Sequence, residues 1–120
     1  QRMLYAGAFF PEFKEAATWR KSGIDILNRE IKKQIYDDGG QYELDLGYHV
    51  GCIEIFNKAL LMADANGFRD EFPESYVATI KKMIDFSMNL RFPDYSSPCF
   101  SDARQGSRQA EICFPGKYEP

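Results

Sequence analysis

Hydrophobic residues recur at helical spacing along most of the chain. The first such segment runs from Glu12 to Tyr36, where apolar side chains follow one another at steps of three and four residues. Its apolar positions are Ile24, Leu27, Ile31 and Ile35. Pro11 suits a first helical turn. The Asp-Asp-Gly-Gly run at 37–40 should end the helix, because glycine tolerates positive φ. We therefore predict one long amphipathic helix, with Gly23 as a candidate kink.

Two further segments show the same spacing. The second helix is predicted from about Tyr48 to Ala65, where Asn66-Gly67 is a strong C-terminal signal. The third begins near Pro73 and ends before Pro93, which a helix cannot accommodate. The apolar stripe of the second helix is Cys52, Ile55, Phe56, Ala59, Met62 and Ala63, and that of the third is Val77, Ile80, Met83, Ile84 and Met88. Short connections between long helices predict an all-α fold of antiparallel helical hairpins.

The two ends of the chain depart from this pattern. Residues 1–10 are apolar but too short and too aromatic for a secretory signal, and are predicted to be the last turns of a helix. Residues 93–120 lose the periodicity and should be largely irregular, with one short helical turn around Gln105 to Glu111. Both ends look cut, so we expect residues 1–120 to be a fragment of one domain in a longer protein.

Composition excludes several classes of function. A net charge of −3 and a pI near 5.2 give no general attraction to nucleic acid or to acidic lipid. No apolar run reaches the roughly eighteen residues that a membrane span needs. The chain has one histidine, and no second cluster of Cys and His suggests zinc. We therefore predict no metal, no cofactor, no nucleic-acid partner and no membrane partner.

The three cysteines leave the redox compartment open. Cys52 falls within a helical pattern, where a small buried thiol is the usual interpretation. Cys99 and Cys113 lie in the irregular tail. A disulfide between them would require an oxidising compartment, and the sequence does not decide whether they pair.

The candidate chemistry lies between the first two predicted helices. Tyr48 is followed directly by His49, the only imidazole of the chain, and Gly47 allows close approach of a ligand. A phenol can act as a base when positive charge or hydrogen bonds favour phenolate. The alternative for Tyr48 is a packing role, and for His49 a structural hydrogen bond. Because successive helical residues point about 100° apart, the two side chains cannot face the same substrate atom.

Other polar residues of this stretch have competing interpretations. Glu43 either binds a sugar hydroxyl or caps the helix that starts near Leu46. Asp37 and Asp38 are interpreted as turn residues that close the first helix.

Two further groups of side chains have both structural and functional interpretations. An aromatic-rich start suits packing in the core or between helices more than stacking on sugar rings. It comprises Tyr5, Phe9, Phe10, Phe13 and Trp19. A basic side of the first predicted helix is either a solvated face or a local guide for a polyanion. It comprises Arg20, Lys21, Arg29, Lys32 and Lys33.

Four stretches together resemble the catalytic helical domain of heparinase II/III-type polysaccharide lyases, with most similarity to the heparinase III subgroup. They are Phe10–Trp19, Ile26–Ile35, the Asp-Gly-Gly-Gln-Tyr-Glu run at 38–43, and the Tyr-His pair at 48–49. The resemblance covers about residues 10–102. The spacing from Asp-Gly through Glu to Tyr-His is fairly specific for this family when the preceding Trp and the Leu-x-x-Glu-Ile pattern are also present.

The resemblance implies an incomplete α/α toroid followed by a β-sandwich domain. It implies cleavage of a uronic-acid-containing, heparan sulfate-like polysaccharide by β-elimination in the bacterial periplasm or outside the cell. Tyr48 matches the family's proton-transferring tyrosine, and Gln41, Glu43 and His49 are candidate substrate-binding residues. The family's carboxylate-neutralising asparagine and further catalytic histidine match no position here. The alternative is a non-catalytic helical module that binds carbohydrate or protein.

Overall fold

The computed structural model describes residues 1–94, 96–99 and 101–102, and this part of the chain is helical. Its elements are α1 (Arg2–Phe9), α2 (Ala16–Gln34), α3 (Leu46–Ala65), a 3-10 turn (Arg69–Glu71) and α4 (Glu74–Asn89). No strand occurs in these ranges, where β-pairing is limited to an isolated bridge between Ile35 and Gln41. The prediction of an all-α fold is confirmed. None of the helices described has the length and apolar content needed to cross a bilayer.

The first predicted helix, from Glu12 to Tyr36, corresponds to α2 and is shorter than predicted at both ends. α1 ends at Phe9, and α2 begins at Ala16 rather than at Glu12. Between them the chain turns tightly: the Phe13 amide donates to the Phe10 carbonyl at 3.2 Å, and the Ala16 amide donates to the Phe13 carbonyl at 3.0 Å. Pro11 explains the break, since a residue that precedes proline is disfavoured in the helical region. The expectation that residues 1–10 are helical is confirmed over Arg2–Phe9.

α1 packs closely on α2 through two glycines. A Cβ added at Gly7 would overlap the Ala16 carbonyl oxygen, and a Cβ added at Gly23 would lie 2.6 Å from the Leu4 nitrogen. Gly23 therefore allows the two helices to approach at backbone distance, and α2 continues through it to Gln34. The contact with α1 gives Gly23 a structural role that the sequence did not suggest.

One hydrophobic core lies between the helices. Its largest fully buried side chain is Tyr76, which donates from its hydroxyl to the Phe56 carbonyl at 3.1 Å. The Phe56 and Phe72 rings contact Tyr76 at centroid distances of 5.9 and 4.9 Å. The buried members are Leu4, Ile24, Leu27, Ile31, Ile53, Phe56, Ala59, Leu60, Ala63, Phe68, Phe72, Tyr76, Ile80 and Met83. Burial raises the pKa of Tyr76, so its phenol stays protonated and donates this hydrogen bond.

The buried face of α3 differs from the predicted stripe. Phe56, Ala59 and Ala63 are buried as expected, but Ile55 is 45% exposed and Cys52 is only half-buried. The residues buried instead are Leu46, His49, Val50, Ile53 and Leu60. α3 is apolar around most of its circumference, so periodicity alone cannot identify the face that packs inward. Cys52 packs against the core but is only partly buried, so the prediction of a buried thiol holds in part.

The aromatic start is also more exposed than expected. Phe9, Phe10 and Phe13 are at least half exposed, and Phe13 stacks on Trp19 at a centroid distance of 5.9 Å. Phe10 contacts Phe13, and Phe9 contacts Tyr5, which packs against the core as expected.

Few of the expectations for the tail fall within the described residues. Of the residues after α4, positions 91–94, 96–99 and 101–102 contain no helix or strand. The helical turn predicted at 105–111 lies outside the described residues. Cys99 is exposed, and Cys113, its suggested disulfide partner, also lies outside them.

Candidate functional site

The loop between α2 and α3 is held by its own hydrogen bonds. The Tyr36 amide donates to the Gly40 carbonyl at 2.9 Å, and the Gly39 amide donates back to the Tyr36 carbonyl at 2.9 Å. The Asp38 side chain accepts from the Gly40 amide at 2.9 Å, as expected for a turn residue. The Tyr42 amide donates to the carbonyl of Gln34, the last residue of α2, at 3.0 Å. Residues 35–45 therefore form an ordered platform that leads into α3.

This platform rests directly on the backbone of α4. Gly39 has φ of +94°, and a Cβ added there would overlap the Lys82 carbonyl oxygen. Lys82 in turn donates from Nζ to the Asp37 carbonyl at 3.1 Å. The contact requires glycine for two reasons, its left-handed backbone and the lack of space for a side chain.

Asp45 begins α3. It is 3% exposed, and its Oδ1 accepts from the Tyr48 amide at 2.9 Å, which is an N-cap hydrogen bond. The capping role suggested for Glu43 is therefore wrong, because the cap lies one residue before Leu46, the first residue of the helix. The sequence signal that would have found it is an aspartate directly before Leu46, the first apolar residue of the helix.

Tyr48 lies in the first turn of α3 with its side chain 52% exposed. Its amide is fixed by Asp45, while its ring projects from the helix rather than filling the core. The N-terminus of a helix carries partial positive charge, which favours negative charge developing close to it. A phenol in this position is accessible to a substrate.

Two tyrosines of the platform that precedes Tyr48 are also exposed. Tyr36 and Tyr42 are 54% and 51% exposed. A hydrogen bond to Glu43, together with the negative charge of that carboxylate, raises the pKa of Tyr42. Loss of a proton from Tyr42 is therefore disfavoured, which makes it a weaker candidate for a base than its exposure alone suggests.

His49 is turned away from Tyr48 and into the protein. It is 2% exposed, its Nε2 lies 2.8 Å from the Met83 carbonyl oxygen, and its ring lies 5.3 Å from the Phe86 ring. Because a carbonyl can only accept, Nε2 carries the proton and donates it to Met83. The separation of the two side chains agrees with the helical geometry expected from the sequence.

Burial lowers the pKa of His49, while its hydrogen bond to Met83 and the nearby Asp38 carboxylate oppose this effect. The folded chain thus binds the proton less readily than the unfolded chain does. We expect the free energy of unfolding to be constant above the unfolded-state pKa of about 6.5 and to fall below it, by at most about 1.4 kcal/mol per pH unit.

Urea unfolding between pH 8 and pH 5 measures this dependence. The control is His49→Gln, which removes the only imidazole of the chain while keeping a side-chain donor. In this variant the fall in stability between pH 6.5 and pH 5 should be absent. An unchanged slope would show that another group is responsible.

Gln41 and Glu43 interact with each other. Gln41 is 2% exposed, and its Oε1 accepts from the Glu43 amide at 3.0 Å. Its Nε2 lies 3.5 Å from Glu43 Oε1. The amide of Gln41 is thus engaged in shaping the loop, whereas Glu43 is exposed to solvent. Glu43 is therefore more accessible to a substrate than Gln41.

A pocket of about 530 Å³ lies between this loop, the start of α3 and the end of α4. Three of the predicted site residues, Gln41, Glu43 and His49, line it together, and Tyr48 does not. The other lining residues are Leu44, Asp45, Leu46, Phe86, Leu90 and Ser101. Phe86 and Leu90 were missed because no local pattern links α4 to this loop.

Comparison with known proteins identifies the family. Residues 1–114 match the family model described as the heparinase II/III N-terminus. The chain belongs to the heparinase II/III family. Heparin-sulfate lyases of Bacteroides stercoris and Pedobacter heparinus are 68% and 50% identical to it over 104 and 103 residues.

The similarity extends to solved structures of this family. A heparinase III structure matches with a TM-score of 0.80 at 69% identity, over 85% of this chain and 16% of its own. The heparan sulfate lyase of Pedobacter heparinus matches with a TM-score of 0.76 at 49% identity, over 81% of this chain and 15% of its own. The two heparin-sulfate lyases are matched over 87% and 86% of this chain, which spans only 16% of the length of each.

Proposed function

We propose that this chain forms part of a lyase that cleaves a heparan sulfate-like, uronic-acid-containing polysaccharide by β-elimination. The family assignment supports a polysaccharide lyase. The observation that supports a catalytic role within these residues is Tyr48, which is half exposed in the first turn of α3 and held by the Asp45 cap. A group that transfers protons must be accessible, and the exposed Tyr48 side chain is carried on a backbone that the cap holds in place.

In the proposed reaction the uronate carboxylate is first neutralised, which makes the proton on C5 more acidic. Tyr48 takes part in proton transfer as the C5–H bond breaks and its electron pair forms the C4–C5 double bond. The bond between C4 and the linking oxygen breaks, and that oxygen leaves with a proton. Glu43 and Gln41 lie on the loop before Tyr48, and Glu43 is available to bind a substrate hydroxyl.

The residues that neutralise the carboxylate and complete proton transfer are proposed to come from other parts of a longer protein. Asn28 and Asn57 lie within helix bodies and are not assigned this role. The longer protein is proposed to complete the α/α toroid, to carry a C-terminal β-sandwich domain, and to act in the bacterial periplasm or outside the cell. The chain spans 16% of the relatives it matches, which supports this division of roles.

A second candidate is a non-catalytic helical module that binds carbohydrate or protein. The exposed Phe9, Phe10 and Phe13 favour it, because exposed aromatic rings can stack on sugars. In that case residues 1–120 alone should bind heparan sulfate oligosaccharides, and Phe10→Ala and Phe13→Ala should weaken the binding.

The proposed function is tested by comparing residues 1–120 with the intact lyase on heparan sulfate. Cleavage creates an unsaturated uronate that absorbs ultraviolet light, so activity appears as a steady rise in absorbance. We expect the intact protein to show this rise and residues 1–120 to show none, because neutralisation of the carboxylate would be missing. Steady product formation by residues 1–120 alone would contradict the proposed division of roles. If neither residues 1–120 nor the intact protein forms product, the proposed lyase activity is wrong.

A further inference from the structure

The end of α3 is closed by a Schellman motif, a pair of hydrogen bonds that satisfies the last carbonyls of a helix. The Phe68 amide donates to the Ala63 carbonyl at 3.0 Å, and the Gly67 amide donates to the Asp64 carbonyl at 3.3 Å. Gly67 has the positive φ that this motif requires, +75°. Phe68 and Ala63 are both buried in the core. The last turn of α3 is therefore fixed by hydrogen bonds and by packing.

The same motif contains an asparagine followed by a glycine, Asn66-Gly67, and the chain has no second pair of this kind. Asparagine is a thermolabile residue, because the backbone nitrogen of the next residue can attack its side-chain carbon. Glycine in the next position has no Cβ to hinder the attack. Both residues are exposed, so water can reach them. The pair therefore has the residue types and the accessibility of a self-modification site.

The reaction available to this pair passes through a cyclic imide. The Gly67 nitrogen gives up its proton and forms a bond to Cγ of Asn66, while the bond from Cγ to Nδ2 breaks. Nδ2 takes up the proton and leaves as ammonia. One water molecule then opens the ring at either of its two carbonyls, which leaves aspartate or isoaspartate at position 66. No electrons are transferred, and water is the co-reactant.

The folded structure holds both reacting groups in unreactive positions. Nδ2 of Asn66 donates to the Met62 carbonyl at 2.8 Å, so the side chain is directed back along α3. The N–H of Gly67 is engaged with the Asp64 carbonyl. Asn66 has ψ of 8°, and ring closure requires rotation about this angle, because the ring brings Cβ and the Gly67 nitrogen nearly into eclipse. Attack therefore requires the last turn of α3 to open.

We propose that Asn66 is a site of spontaneous deamidation, and that the Schellman motif protects it until the last turn of α3 opens locally. Local opening at a helix end costs less free energy than unfolding of the whole chain. Here it breaks hydrogen bonds of exposed residues and withdraws one side chain, Phe68, from the core. The Arg20 guanidinium lies 5.2 Å from the centre of the Phe68 ring and helps to hold it in place.

Deamidation makes the opening permanent. Both products add a carboxylate at the C-terminal end of α3, where the helix dipole disfavours negative charge. Isoaspartate also adds one carbon to the main chain between Ala63 and Phe68, which disturbs the spacing of their hydrogen bond. The modified chain therefore loses the fixed connection between α3 and the 3-10 turn.

The rate of deamidation at Asn66, followed by peptide mapping with mass spectrometry, tests the site. Residues 1–120 are incubated at pH 8, either folded in buffer or unfolded in guanidinium chloride, and circular dichroism verifies the two states. The other asparagines, Asn28, Asn57 and Asn89, precede larger residues and serve as internal controls. In the unfolded chain we expect Asn66 to react ahead of them. In the folded chain it should react at least about tenfold more slowly.

Two outcomes of this experiment would contradict the proposal. Equal rates at Asn66 in the folded and unfolded chains would overturn the protection by the Schellman motif. Reaction at Asn66 no faster than at the other asparagines of the unfolded chain would overturn the site. Neither measurement depends on lyase activity, so the proposal stands or falls independently of the proposed function.

Low concentrations of denaturant distinguish local from global opening in the unmodified chain. Opening of one turn exposes little surface, so its free energy depends weakly on denaturant, whereas that of global unfolding depends on it strongly. Below the unfolding transition we expect the rate at Asn66 to stay nearly constant. A rate that rises in proportion to the unfolded fraction would show that the whole chain must unfold, and would overturn the role of local opening.

Two phenylalanine substitutions provide a matched pair. Phe68→Ala removes the side chain that closes the motif, whereas Phe72→Ala removes a ring that is buried more deeply, 3% against 8% exposed, outside the motif. Phe68→Ala should speed deamidation several-fold more, although Phe72→Ala lowers the free energy of unfolding at least as much. Equal acceleration by both, or a larger one by Phe72→Ala, would contradict local opening. The denaturant series needs no variant and settles the same question if either substitution prevents folding.

Discussion

If the intact protein is a lyase in which Tyr48 transfers protons, as proposed, Tyr48→Phe is expected to lower its turnover by about 10²- to 10⁴-fold, the range that general acid–base catalysis contributes. The substitution keeps the ring and removes only the hydroxyl. Because Tyr48 is 52% exposed and its amide rather than its side chain is held by Asp45, the fold should be unaffected. The loss should appear mainly in kcat, since the hydroxyl acts in the transition state more than in substrate binding.

Steady-state kinetics on heparan sulfate measure the expected loss of turnover, and thermal unfolding tests whether the fold is unaffected. The matched control is Tyr36→Phe, because Tyr36 is equally exposed on the same platform but precedes the turn and is not expected to transfer protons. Its turnover should stay within about a factor of two or three of the unmodified enzyme. If Tyr48→Phe retains more than about a tenth of the original turnover, Tyr48 is not the proton-transferring residue.

The second large effect is expected at Gly39, which supports the platform under Tyr48. Gly39→Ala should lower the free energy of unfolding by about 2–4 kcal/mol. Part of this cost is backbone strain, since a side chain at φ of +94° is disfavoured. The larger part is steric: the new Cβ would overlap the Lys82 carbonyl in the body of α4, which cannot rotate away as a side chain can.

Two other glycines separate these contributions in urea unfolding experiments. Gly67 has φ of +75° but nothing within 4 Å of an added Cβ, so Gly67→Ala should cost only about 1 kcal/mol. Gly51 lies inside α3, also with open space, and Gly51→Ala should stabilise by about 0.5–1 kcal/mol. A cost at Gly39 no greater than that at Gly67 would show that the contact with α4 is unimportant.

Local sequence signals located most of the helices. The ends of α3 and α4 were predicted within about two residues because Asn66-Gly67 and Pro93 act through nearby backbone atoms. The start of α2 was predicted four residues too early, at Glu12 rather than Ala16, for an equally local reason. Pro11 was interpreted as a helix start, whereas Phe10 and Phe13 form a turn around it.

The candidate site was predicted less completely than the helices. Tyr48 and His49 were identified from their adjacency, and their divergence follows from helical geometry alone. Capping was one of two interpretations of Glu43, whereas the cap is Asp45, two residues further along the loop. Phe86 and Leu90 were not anticipated, because they reach the pocket from α4, more than thirty residues along the chain from His49.

The sequence by itself determined the all-α class, the turn at Asp38 and the family, since each depends on residues close together in the chain or on a pattern of residue types. Tertiary structure decided which face of α3 is buried and what His49 does. α3 is apolar on most sides, so its orientation follows from packing against α4 rather than from its own pattern. The contact of His49 with the Met83 carbonyl exists only once the two helices meet, because a carbonyl inside a helix has no signature in the sequence.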